Sequence, residues 1–166
     1  MDMLIGHLIV SLIFIGMAWI FYRSDRKSPT TRVSALFLGL IGAAVLWRLW
    51  TKLPLMDDWQ TAGSIIARSL DALATFVGIE WVRRVGEMVA DQEGRRWAGG
   101  IMERFAQALV VVYWVLVMIY PELKPINLFL VFSAPDEVFH LAFWIHFIPQ
   151  QLALWLTGLS ILITVR

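Results

Sequence analysis

The sequence predicts an all-α, polytopic transmembrane helical bundle of about five spans, folded as a single membrane-embedded domain over residues 1–166. Three observations predict it. Of the 166 residues, 59% are hydrophobic and 16% charged, against roughly 45–50% and about 25% in soluble domains, and the mean hydropathy is +0.70. The apolar residues gather in segments close to the ~20 residues that cross a ~30 Å hydrocarbon core. The basic residues fall in alternate connections, as expected of a chain that crosses a membrane repeatedly.

Residues 3–22 form the first expected span. A cleaved signal opens on a positively charged region, and Met1-Asp2 brings no Lys or Arg, so a retained helix is expected. Residues 33–50 form the second, approached through Ser28-Pro29-Thr30-Thr31, which combines a breaker with helix-capping hydroxyls. The third begins near Thr61, is less apolar, and is expected to run beyond the bilayer surface towards Asp91. Gln92-Glu93-Gly94-Arg95-Arg96 is the expected turn, and residues 97–120 the fourth span, ended by Pro121 and Pro125. Residues 126–132 are apolar but too few to cross, which suits an interfacial or re-entrant piece. Ser133 or Asp136 caps the last helix, with Pro135 in its first turn, and the helix runs to about Thr164. Pro149 in its middle predicts a kinked span; the alternative is a helical hairpin breaking at Pro149-Gln150-Gln151.

Charge sets the expected orientation. Arg23, Arg26, Lys27, Arg32, Arg83, Arg84, Arg95, Arg96, Arg104 and Arg166 fall on one side, and only Arg48, Lys52 and Lys124 on the other. Positive-inside counting then puts the N-terminus outside and the C-terminus in the cytoplasm, for a protein of the prokaryotic inner-membrane type. Trp19, Tyr22, Trp47, Trp50, Trp59, Trp81, Trp97 and Tyr120 lie at the expected helix ends, where amphipathic rings meet headgroups.

The third helix has the most informative pattern. Ser64, Arg68, Asp71, Thr75 and Gly78 follow steps of four, three, four and three, so they share one face. Ionisable groups at membrane depth cost several kcal/mol unless paired or hydrated. Arg68 and Asp71, at i and i+3, are expected to pair with each other. Glu103, Arg104 and Gln107 extend the polar surface on helix 4. The bland reading is a neutralised structural pair between packed helices; the sharper one is a path lined by copies of the stripe in an oligomer. On helix 2, Ala35, Gly39 and Ala43 form a small-xxx-small series with Gly42 beside it, a pattern that lets helix backbones approach within one chain or between copies.

Imidazole is the metal ligand that remains to a chain with no cysteine, apart from carboxylates. His7 and His140 are expected at similar depth, and Glu137 precedes His140 at i, i+3. A haem between the two histidines, or one metal on His7, Glu137 and His140, competes with the simpler reading that these groups cap a helix and meet headgroups. The larger expectation is no cofactor. Phosphate-loop, zincin and nucleophile-elbow motifs are missing from the sequence, so no enzyme activity is expected. A net charge of +1 offers no footprint for nucleic acid. The mixed charges between Trp81 and Arg104 suit a solvated hairpin, with anionic lipid or a cytoplasmic partner as further contacts.

These features point first to a non-catalytic integral membrane protein, an anchor or assembly subunit that oligomerises or binds partner proteins in the lipid bilayer. Second comes a small oligomeric channel or membrane-permeabilising protein lined by helix 3. Third comes a haem- or metal-binding redox membrane subunit.

Overall fold

The computed structural model describes residues 2–50, 60–94, 96–119 and 148–165. Among them the chain is all-helical, with five helices: α1 (Asp2–Ser24), α2 (Pro29–Trp50), α3 (Gln60–Gln92), α4 (Gly100–Ile119) and α5 (Ile148–Val165). The first four contain segments long and apolar enough to cross a membrane, while α5 has a shorter apolar stretch, Gln151–Ile163.

The α1–α2 turn is built by local polar chemistry. The Asp25 carboxylate accepts the backbone N–H groups of Lys27 and Ser28 at 2.9 and 3.2 Å. Ser28 Oγ then accepts the N–H of Thr31 at 3.3 Å, and its carbonyl accepts that of Arg32 at 3.2 Å. Ser28 is therefore the N-cap and Pro29 the first helical residue, where a missing N–H leaves no bond unmade. This starts α2 four residues before the apolar run at Val33 that marked it in the sequence.

The 33 residues of α3 rise about 50 Å at 1.5 Å each, well beyond a ~30 Å core. Its surplus turns contain the densest ion pairs among the described residues: Arg83 binds Glu80 and Glu87, each at 2.6 Å, and Arg84 binds Glu80 at 2.8 Å. Spaced at i, i+3 and i, i+4, such pairs each support the helix by about 0.2–0.5 kcal/mol. The helix stops at Gly94, whose φ of +67° places it in the left-handed region that costs glycine little.

Trp97 does not begin α4. Residues 96–98 are non-helical, because the Trp97 indole folds back against α3 and towards Glu103, and the helix resumes at Gly100. Pro149 is the second described residue of α5, in its first described turn. The stretches expected at 126–132 and from Ser133 to Glu137 lie outside the described residues.

Packing is serial. The main contacts join α1 to α2, α2 to α3, α3 to α4, and α5 to α4 and α3. The buried centre comprises Ala72 and Ile79 of α3, Ala106, Val110, Tyr113 and Val117 of α4, and Ala153 of α5. Three alanines there let backbones approach, which is how helices associate when the surroundings are as apolar as their side chains. Most of α1 is exposed, including Ile9, Leu12, Ile13 and Ile20, which is compatible with a membrane-crossing helix.

Candidate functional site

The polar stripe of α3 divides between two neighbours. Asp71 Oδ2 accepts a hydrogen bond and ion pair from Arg48 Nη2 of α2. Arg68 turns instead towards α4, where it is only 5% exposed and lies electrostatically close to Tyr113. Its Nε and Nη1 are buried with no hydrogen-bond partner among the described residues. The expected Arg68–Asp71 pair is thus replaced by Arg48–Asp71. At i and i+3 the two side chains leave the helix about 60° apart, and with helices packed on both flanks each follows its own neighbour.

Arg68 and Asp71 lie six and nine residues past Ala62, the start of the apolar segment Ala62–Gln92, or about 9 and 14 Å along the helix. The Arg48 and Asp71 side chains are 53% and 25% exposed. Tyr113 lies electrostatically close to Asp71, Arg68 and Arg48, so one cluster joins α2, α3 and α4 with two cations, one anion and a phenol. Ser64 is half-buried. Thr75 Oγ1 donates back to the Asp71 carbonyl at 2.8 Å, a bond within its own helix. Gly78 receives the Phe37 ring of α2: a Cβ there would lie 2.8 Å from Phe37 Cε2.

Arg48 and Tyr113 were not singled out in the sequence. Arg48 reads as a residue of the outer boundary, and only its position inside the run 33–50 hints that it reaches inward. Tyr113 is marked solely as a phenol in an otherwise apolar stretch.

Glu103 belongs to a second centre. It is ten residues from Tyr113 along α4, about 15 Å, and is 1% exposed. Its carboxylate accepts Trp97 Nε1–H at 3.0 Å and lies 3.2 Å from Ser160 Oγ of α5, whose one hydroxyl hydrogen is shared with the Thr157 carbonyl at 2.7 Å. Glycines make room: a Cβ on Gly86 would meet Trp97 Cζ3 at 2.2 Å, and one on Gly99 would meet Ser160 Cβ at 2.7 Å. Trp97 therefore clamps α3 to the start of α4, and Glu103 ties both to α5. Gln107 is half-buried one turn further on.

Of the small residues on α2, Ala35 is buried and Ala43 half-buried. An added Cβ on Gly39 would lie at an ordinary 3.8 Å from Ala18 Cβ. Gly42 is the close approach: its carbonyl accepts Ser11 Oγ–H of α1 at 2.8 Å in a buried contact. His7 is half-buried on α1, while Glu137 and His140 lie outside the described residues. Among the described residues no three His, Asp or Glu side chains gather to hold a metal.

The fold and cluster define a class: an all-α chain with several apolar helices, compatible with a multi-pass membrane protein, that places charge between those helices. No protein-family model, curated protein or solved structure matches the chain.

Proposed function

We propose that the chain is a non-catalytic, multi-pass membrane subunit that assembles with copies of itself or with other membrane proteins through the α2–α3 face. The observation that supports this is the half-exposed Arg48–Asp71 pair within apolar helices. A charge near the centre of a spanning helix costs about 2.5–3.5 kcal/mol on insertion scales. Contact with a second protein surface removes Asp71 from lipid and supplies polar groups to the pair. Exposed apolar residues beside the pair add support: among the described residues Leu46 of α2 and Ile66 and Leu73 of α3 are exposed. Five crossings, with the N-terminus outside and the C-terminus in the cytoplasm, accord with the distribution of basic residues.

The test is the mass of the assembly extracted from its own membrane in lipid particles, for wild type and Asp71→Asn. A multi-chain wild-type particle and a variant shifted towards single chains, at equal helical content, are the expected results. A single-chain wild type overturns the proposal.

The same half-exposed pair favours a second reading, an oligomeric channel whose water-filled path meets α3. Ion flux through proteoliposomes of the assembled protein, lowered by Asp71→Asn, distinguishes it from a closed interface. The haem or metal reading rests on His7 together with Glu137 and His140; an absorption spectrum and metal content at background sink it.

A further inference from the structure

The α1–α2 turn gathers Arg23, Arg26, Lys27 and Arg32, all exposed, at the junction of the two apolar segments Ile5–Ser24 and Pro29–Leu49. Asp25 is the one acid in the turn, and its Oδ1 accepts the N–H groups of Lys27 and Ser28. Among the described residues none of the four basic side chains makes a salt bridge.

The turn also positions the cations. The Arg23 guanidinium carbon sits 5.5 Å from the Trp19 ring centroid and that of Arg26 5.2 Å from the Tyr22 centroid. The two rings stack on each other at 6.3 Å. Arg32 Nε donates to the Arg26 carbonyl at 2.6 Å, holding the start of α2 against the turn. Cation–π contacts of this kind are worth about 0.5–1 kcal/mol at exposed sites and limit side-chain wandering. The other rich source of arginine is balanced by acids: between Glu80 and Arg104 the sequence has five arginines and five carboxylates, with Arg83 and Arg84 bound to Glu80 and Glu87, whereas four basic residues of the α1–α2 turn meet one acid. Between the two, the α1–α2 turn holds the uncompensated charge.

We infer that this turn is a docking surface for the phosphate headgroups of anionic phospholipids in the leaflet it borders. Two apolar helices ending together place the four cations at headgroup level, and Trp19 and Tyr22 occupy the boundary where amphipathic rings collect. Each basic residue close to an anionic leaflet contributes about 1 kcal/mol of attraction. The surface would retain lipid around α1, which among the described helices packs mainly on α2, whether or not the α2–α3 face assembles.

The experiment is native mass spectrometry of the full-length protein in detergent, titrated with equimolar phosphatidylglycerol and phosphatidylcholine. Working in detergent keeps the result independent of any change in topology when basic residues are removed. Wild type is expected to retain phosphatidylglycerol over phosphatidylcholine by about tenfold or more. The variant R23Q/R26Q/K27Q/R32Q is expected to fall to near parity, and R83Q/R84Q to keep the wild-type preference. The charge-retaining R23K/R26K/R32K guards against a folding defect and should keep most of the preference. No preference in wild type, or an unchanged preference in the fourfold glutamine variant, overturns the inference. So does its loss in R83Q/R84Q alone.

Discussion

Gly42→Ala should loosen α1 from α2, whereas Gly39→Ala, three residues away on the same helix, should not. A Cβ on Gly42 would stand 2.7 Å from Ile15 Cγ1, 3.1 Å from the Ser11 carbonyl oxygen and 3.2 Å from the Ile15 nitrogen. The first contact can relax by side-chain rotation. The other two are backbone, so α1 must retreat by a few tenths of an ångström and stretch the 2.8 Å Ser11–Gly42 bond. Overpacking of this kind costs about 1–3 kcal/mol, while replacing a helical glycine by alanine returns up to about 1 kcal/mol. The net expectation is a loss of about 0.5–2 kcal/mol for Gly42→Ala. At Gly39 the nearest atom, Ala18 Cβ, would lie at 3.8 Å, so the propensity gain stands unopposed and stability holds or rises. The assay is SDS titration in mixed micelles, read by tryptophan fluorescence and helical circular dichroism. Equal effects of the two substitutions, in either direction, would refute the assignment of Gly42 as the close-contact point.

Removing the Ser11 hydroxyl as Ser11→Ala should cost about 0.6 kcal/mol in the same titration, the average for hydrogen bonds between membrane helices; a loss above about 2 kcal/mol would mean that the seam depends on more than this bond. Gly86→Ala should destabilise by about 1–3 kcal/mol through overlap with the Trp97 ring. That penalty should nearly vanish in a Trp97→Ala background, and additive losses in the double-mutant cycle would argue against the clamp. Glu103→Ala should cost about 2–4 kcal/mol, because it leaves a cavity and the Trp97 indole N–H without its acceptor, while Ser160 keeps the Thr157 carbonyl at 2.7 Å. Glu103→Gln, which keeps the volume and an acceptor oxygen, should cost about 1 kcal/mol, and equal losses in the two variants would contradict the hydrogen-bonding role.

What could be read in advance followed the range of the interaction involved. Apolar segments and their punctuation are local, so the first four helices were legible, and Ser28-Pro29-Thr30-Thr31 was visible as capping punctuation although the helix was expected only from Val33 and begins at Pro29. Expecting α4 to start at Trp97 failed because that ring is held by Gly86 and Glu103, contacts made only after the hairpin folds. The polar stripe on α3 was legible from spacing, but not its division between helices. A helical period says which residues share a face; it does not say whether the neighbour on one flank brings an arginine. Arg48 pairs with Asp71 across a separation of 23 residues, and nothing local encodes that choice. Glu103 was expected to continue the stripe, whereas a partner 57 residues away, Ser160, draws it into a separate centre. The mixed charge between Trp81 and Arg104 marked the α3–α4 hairpin as the candidate lipid or partner contact, whereas intrahelical glutamates engage Arg83 and Arg84 there and the α1–α2 turn has a single acid.

The central claim, that a second protein surface covers the α2–α3 charged face, can be measured at one site. The sequence has no cysteine, so Ala67→Cys, one helical turn before Asp71, accepts a single spin label. Its collision rates with oxygen, which partitions into lipid, and with a water-soluble nickel chelate report what surrounds it in the assembled protein. A label at Ile13, exposed on α1, gives the lipid-facing reference. The account predicts low accessibility to both reagents at position 67 and high oxygen accessibility at position 13. Oxygen accessibility at 67 equal to that at 13 would contradict it, and high nickel accessibility would contradict it in favour of a water-filled path.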